Sequence, residues 1–266
     1  MSDCRTIMIT SFKGGVGKST ITANTAMMLA QMGKRVLCVD CDFRMRSLDL
    51  IMGMESRVIY DICDLAAGSV PPEKAVVHAD NQDGLMLLAA PYRYRENLTA
   101  QSFGEAIDRC REALKPDFVL LDTPGDNGEP LRIAASCAEL ALIIATHQPA
   151  SIRAAEQTGM QLEEMGVSQS RLLINCFQPL TVKKGLRPGI IEMIDRTCVR
   201  LIGVICEDDA LSALQENGFL IDHLRRRGRS GDTVQAFDNL ARRLCGEQVP
   251  LFDGFRGRWK NAVLAR

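Results

Sequence analysis

Residues 6–20 read Thr-Ile-Met-Ile-Thr-Ser-Phe-Lys-Gly-Gly-Val-Gly-Lys-Ser-Thr. The stretch opens on an unbroken apolar run and closes on glycines, a lysine and two hydroxyls. A strand buried on both faces, then a tight turn, then a helix, accounts for that order. Gly14, Gly15 and Gly17 allow successive backbone N–H groups to curl around an anion without Cβ clashes. A helix starting near Lys18 adds its positive end.

The general phosphate-loop pattern, G-x-x-x-x-G-K-[ST], is met at Gly17, Lys18 and Ser19, while Phe12 stands where the first glycine belongs. ATP with Mg²⁺ is the expected ligand. Gly14, Gly15, Val16, Gly17, Lys18, Ser19 and Thr20 are its expected contacts. Lys18 reaches the terminal phosphates, and the Ser19 hydroxyl ligates the metal. Lys13 is a second lysine that a simple phosphate loop does not require.

Outward from this loop, short apolar runs alternate with amphipathic stretches. Strands are expected at 6–10, 35–40, 85–90, 118–122, 140–146, 171–175 and 199–205. Helices are expected at 19–32, 99–114, 151–165 and 233–245. Continuous rather than alternating apolar strands imply a parallel sheet covered on both faces. The fold class is therefore α/β, a doubly wound, mainly parallel sheet flanked by helices. Ligands of such sheets sit beyond the carboxyl ends of the strands. Residues 1–249 read as one domain and 250–266 as a distinct tail.

The 266 residues are 46% hydrophobic and 24% charged, with a net charge of -1. That composition allows a sizeable core and argues against wholesale disorder. It provides no broad basic field for nucleic acid. The run Arg225, Arg226, Arg227 and Arg229 reads as a solvated face. No apolar run reaches membrane-spanning length, and no signal peptide is legible, so a cytoplasmic location is expected. Most of the ten cysteines lie in apolar runs and read as small core residues. Cys38 and Cys41 have C-x-x-C spacing but span a strand end, which aims them at opposite faces.

Two strand ends carry carboxylates. Val39-Asp40-Cys41-Asp42 places two aspartates at i and i+2, which share a strand face. Their mutual repulsion calls for a cation. Phe118-Val-Leu-Leu-Asp122 is an apolar strand ending in a carboxylate suited to Mg²⁺, followed by Thr123-Pro124-Gly125. A Gly125 N–H is placed to sense a terminal phosphate. The Asn175 amide, with both donor and acceptor, suits an adenine edge.

Lys-Gly-Gly-Val-Gly-Lys-Ser-Thr at 13–20 resembles the deviant Walker A motif of the MinD/ParA ATPases. That resemblance implies ATP hydrolysis in a homodimer, with Lys13 crossing to the partner's nucleotide. It implies that Asp40 helps hold the Mg²⁺ shell, that Asp42 positions the attacking water, and that Lys13, Lys18 and Asp42 form the catalytic set. Ser19, Asp40 and Asp122 become the metal set. Residues 48–53 and 57–61 are more similar to the MinD branch than to ParA partition proteins. The turn at 203–208, Gly-Val-Ile-Cys-Glu-Asp, resembles one near the base, with Cys206 replacing a proline.

In the tail, Phe252, Phe255, Trp259 and Val263 fall on one helical face among Arg256, Arg258, Lys260 and Arg266. A basic amphipathic segment with aromatic anchors reads as an interfacial membrane binder. MinD proteins end in a similar short helix. The resemblance thus implies a role in division-septum placement, peripheral location on the inner face of the cell membrane, and MinC-like and MinE-like regulators. A DNA-partition ATPase of the ParA type and a metabolic P-loop synthetase are the competing readings.

Overall fold

In the computed structural model, residues 4–80, 82–93, 98–226 and 231–251 are described. From the N-terminus the elements are β1 (Arg5–Thr10), α1 (Lys18–Gln31), β2 (Val36–Asp40), α2 (Leu48–Ile51), α3 (Ile62–Ala66), α4 (Pro72–Ala75), β3 (Val77–His78) and β4 (Leu85–Leu88). Next come α5 (Ala100–Leu114), β5 (Phe118–Asp122), α6 (Glu129–Ala135), β6 (Leu140–Ala145), α7 (Pro149–Glu164) and β7 (Ser170–Phe177). The remaining elements are α8 (Pro179–Lys183), α9 (Ile190–Thr197), β8 (Leu201–Cys206), α10 (Asp209–Gln215), α11 (Asp222–Arg226) and α12 (Asp232–Leu244).

The strands form one eight-stranded sheet in the order β3-β4-β2-β5-β1-β6-β7-β8. It is parallel except for β3, a two-residue antiparallel edge on β4 that the sequence did not signal. Every residue of β2, β4, β5 and β6 is buried, which is why these strands read as continuous apolar runs.

Side chains alternate between two apolar layers. Met8, Leu37 and Val39 join the layer under α3, α5, α6, α7 and α9. Ile7, Ile9, Val36 and Cys38 join the layer under α1, α10, α11 and α12. Cys41 lies in the first layer and Cys38 in the second, so the C-x-x-C pair is split across the sheet, as odd spacing requires. Phe103, Ile107, Cys110 and Leu114 are the buried stripe of α5. Thr99 caps that helix in a reciprocal capping box with Ser102.

Strand order reverses around β1, which lies between β5 and β6. A crevice therefore opens beyond its carboxyl end, where the glycine-rich turn lies. At the other end of the chain Val249 and Leu251 are buried, so the packed body reaches Leu251. Arg243 ties that segment down by donating to the carbonyls of Ile202 (2.9 Å), Val249 (3.1 Å) and Pro250 (2.6 Å). Phe252, Phe255, Trp259 and Val263 lie outside the described residues, as do the side chains of Arg225, Arg226, Arg227 and Arg229.

Candidate functional site

Gly17 ends the turn at φ +91° and begins α1, which has no side-chain cap. The first amides of the helix thus have neither intrahelical partners nor a capping oxygen. They open onto a cleft of about 570 Å³ walled by Gly14, Gly15, Lys18, Ser19, Thr20 and Gly125, with Asp42, Arg44 and Asp126 at its charged side. Gly15 and Gly17 hold left-handed backbone (φ +74° and +91°), the conformations this turn required of glycine.

Phe12 takes the place of the first glycine without disturbing the loop. Its ring packs against the core, and its N–H donates to Thr158 Oγ1 on α7 (3.2 Å). Behind the loop, the Asn175 amide donates to Val16 O (2.8 Å). A Cβ on Gly17 would come within 2.4 Å of that same nitrogen. Asn175 therefore braces the turn from 159 residues away, a role its expected contact with a base did not include. It also does not end its strand: β7 runs on to Phe177 across a register shift, with Cys176 at φ +50°.

Lys18 is buried and its pKa is lowered, first by desolvation, against the opposing pull of Asp122, Asp42 and Asp126. Gly125 lies flat against the loop; a Cβ there would stand 3.1 Å from Gly14 N and 3.3 Å from Lys18 Nζ. Thr20 lines the cleft, but its hydroxyl donates to Gln215 Oε1 on α10 (3.0 Å). Lys13 does not line the cleft; it is half-buried, and its N–H bonds Ser11 Oγ (3.3 Å).

The carboxylates divide the work differently from the expected D-x-D face. β2 stops at Asp40, so Asp42 leaves the strand and the two do not share its face. The cause is local. Asp40 accepts the N–H groups of Asp42 (2.9 Å), Ser47 (3.1 Å) and Leu48 (3.0 Å), folding the chain back on itself. Asp42 accepts from Arg44 N (3.3 Å) and Met45 N (3.1 Å) and faces the cleft.

Asp122 is fully buried, and Thr22 Oγ1 lies 3.0 Å from its Oδ1. Its Oδ2 is buried with no hydrogen-bond partner among the described residues. Burial pushes the Asp122 pKa up, while the Ser19 and Thr22 hydroxyls and Lys18 oppose the rise. Asp40 is pushed up as well, by burial first and by Asp122 second. An orphaned carboxylate oxygen beside a serine at a helix head fits a divalent cation, the ion that would offset both burial and repulsion. The hydroxyl of Thr22, one turn beyond Lys18 on α1, is a support the sequence reading missed; its i+4 spacing from Lys18 was the available signal.

An anion cradle of bare amides with a buried lysine, and behind its serine a buried carboxylate, is the apparatus of a P-loop nucleotide-binding protein. The chain belongs to the CobQ/CobB/MinD/ParA nucleotide-binding family, whose domain matches residues 7–221. It is 31% identical over 250 residues to the septum site-determining protein MinD of Synechocystis, covering 94% of this chain and 92% of that protein. Its fold is similar to MinD in a MinC:MinD cell division complex of Aquifex aeolicus, with TM-score 0.86 and 33% identity over 93% of this chain and 98% of that one. It is also similar to the MinD of Pyrococcus horikoshii complexed with Mg-ADP, with TM-score 0.79 and 25% identity over 91% and 96% of the two chains.

Proposed function

We propose that this chain is a MinD-like ATPase switch that helps place the division septum. The observation that carries the reading is the buried Asp122 Oδ2, without a hydrogen-bond partner among the described residues, behind a phosphate loop whose helix has no side-chain cap. Ser19 and Asp122 hold Mg²⁺, and Asp40 supports the metal shell through the loop it folds. The amides of residues 14–20 and Lys18 hold the polyphosphate. Asp42, on the cleft wall, positions the attacking water. Gly125, pressed against Gly14 and Lys18, reads the terminal phosphate. Asn175 exchanges Val16 O for the adenine edge.

Lys13, which stands outside its own cleft, reaches a partner's nucleotide in an ATP-bound homodimer. The segment after Leu251 brings Phe252, Phe255, Trp259 and Val263 to a membrane surface, and two such segments in a dimer bind far more tightly than one. No helix among the described residues is long and apolar enough to cross a membrane; the proposed attachment is peripheral, through the tail, on the inner face of the cell membrane. The Aquifex relative was solved with MinC, which makes a MinC-like regulator the first partner to test, with a MinE-like one beside it.

Calorimetry with ATPγS and ADP, with and without Mg²⁺, tests the core of this reading. Uptake that Mg²⁺ strengthens, followed by phosphate release from ATP, is expected. No uptake of either nucleotide ends the proposal.

A further inference from the structure

Two charged side chains that no part of the nucleotide reading uses meet on the lining of the cleft. Arg44 comes from the loop after β2 and Asp126 from the loop after β5; both line the cleft, and Arg44 Nη1 lies 3.6 Å from Asp126 Oδ2. The two ends differ in how firmly they are held. Asp126 Oδ1 accepts Gly128 N (2.9 Å), which fixes the carboxylate in its own turn. The Arg44 backbone is fixed by the bond from its N–H to Asp42 Oδ1 (3.3 Å), but among the described residues its guanidinium is tied only to Asp126, and its side chain is 70% exposed.

Place and charge give the pair a task. Asp126 follows Gly125, the residue pressed against Gly14 and Lys18, and its charge acts on Lys18. A terminal phosphate gripped by Lys18 would therefore stand close to the Asp126 carboxylate, and like charges repel. A diphosphate lacks that terminal group. Arg44, 3.6 Å from Asp126 on the cleft lining, is a cation that can relieve the repulsion, and a guanidinium grips a phosphate through two parallel N–H bonds. An ion pair this exposed is screened and weak, so a terminal phosphate displaces Asp126 as the partner of Arg44 with little opposition.

We propose that Arg44 is a terminal-phosphate contact supplied by the chain's own loop, held by Asp126 until a triphosphate competes for it. The pair then sets preference for triphosphate over diphosphate and draws the β2 loop, with Asp42, toward the phosphates. This rests on the Mg-nucleotide reading above, and the test separates the two.

The experiment is calorimetry of the full chain with Mg²⁺ and either ATPγS or ADP. Arg44→Gln is expected to weaken ATPγS by about tenfold, the loss of one charge-assisted contact, and to leave ADP within about twofold. Asp126→Asn, which removes both tether and repulsion, is expected to tighten ATPγS several-fold. Arg44→Lys, which keeps the charge but not the fork, falls between. Equal losses for both nucleotides in Arg44→Gln, or none, overturn the inference alone. No uptake by the unaltered chain overturns the nucleotide reading and this inference with it.

Discussion

Asp40 and Asp122 stand at the same register of neighbouring parallel strands, two buried carboxylates side by side. Their oxygens are unequally used. Asp40 uses both on the loop that follows it, whereas Asp122 Oδ2 has no hydrogen-bond partner among the described residues. The pair therefore holds a fold in place with one member and offers a cation site with the other.

That arrangement fixes a pH dependence. Burial raises both pKa values, and a carboxyl raised in the folded state binds its proton more readily there than when unfolded. Stability from the pair is complete below the usual carboxylate range and is lost as pH rises through the raised values. Thermal unfolding of the metal-free chain should show stability declining as pH rises from about 4, the ordinary carboxylate value, to about 8. Asp122→Asn should flatten that slope and remove the Mg²⁺ effect on nucleotide affinity. An unchanged slope in the variant counts against the pair as its source.

Gly17 is held between two constraints. Alanine there would adopt φ +91° and push its Cβ within 2.4 Å of Asn175 Nδ2. Left-handed strain and loss of the Asn175–Val16 bond together cost about 2–4 kcal/mol, measured as a lowered denaturant midpoint. Asn175→Ala removes the obstacle, so the double variant should be less destabilised than the sum of the two singles. Strict additivity would show that the contact plays no part.

Lys13 and the tail are separable. Sedimentation with ATPγS should find Lys13→Ala monomeric, with nucleotide affinity per chain within about threefold of the unaltered protein, since the lysine does not line its own cleft. A chain ended after Leu251, the last buried residue described, should still dimerise but fail to sediment with anionic vesicles. Full vesicle binding by the shortened chain removes the tail from the mechanism.

The thiols should sort by burial. Cys38 and Cys41 are fully buried and burial raises both pKa values, whereas Cys198 is exposed. Brief alkylation of the native chain followed by peptide mass spectrometry should mark Cys198 and spare the other two. Labelling of Cys38 at the same rate would mean that the sheet opens locally.

Much of this was legible along the chain because it rests on local physics. Apolar runs without alternation gave a sheet buried on both faces. The helix expected over 99–114 is α5, beginning at Ala100 with Thr99 as its cap, and β5 ends at Asp122 as its pattern required. The shorter elements were not legible. β3 has two residues, and α3 is a five-residue helix whose capping box, Asp61 with Asp64, is its main sequence signal. Helices that short gain little from periodicity and are held by the surfaces they cover.

By itself the sequence determined the phosphate loop, the strand-and-helix alternation and the carboxylate at the end of β5. Each is set within a few residues by glycine freedom, apolar spacing or a cap. Only the tertiary structure decided that Asp40 faces Asp122, that Asn175 braces Val16, that Thr158 secures Phe12, and that Arg44 meets Asp126. Those partners are brought together by strand order, and strand order follows from packing two apolar layers against one sheet rather than from any local preference of the chain.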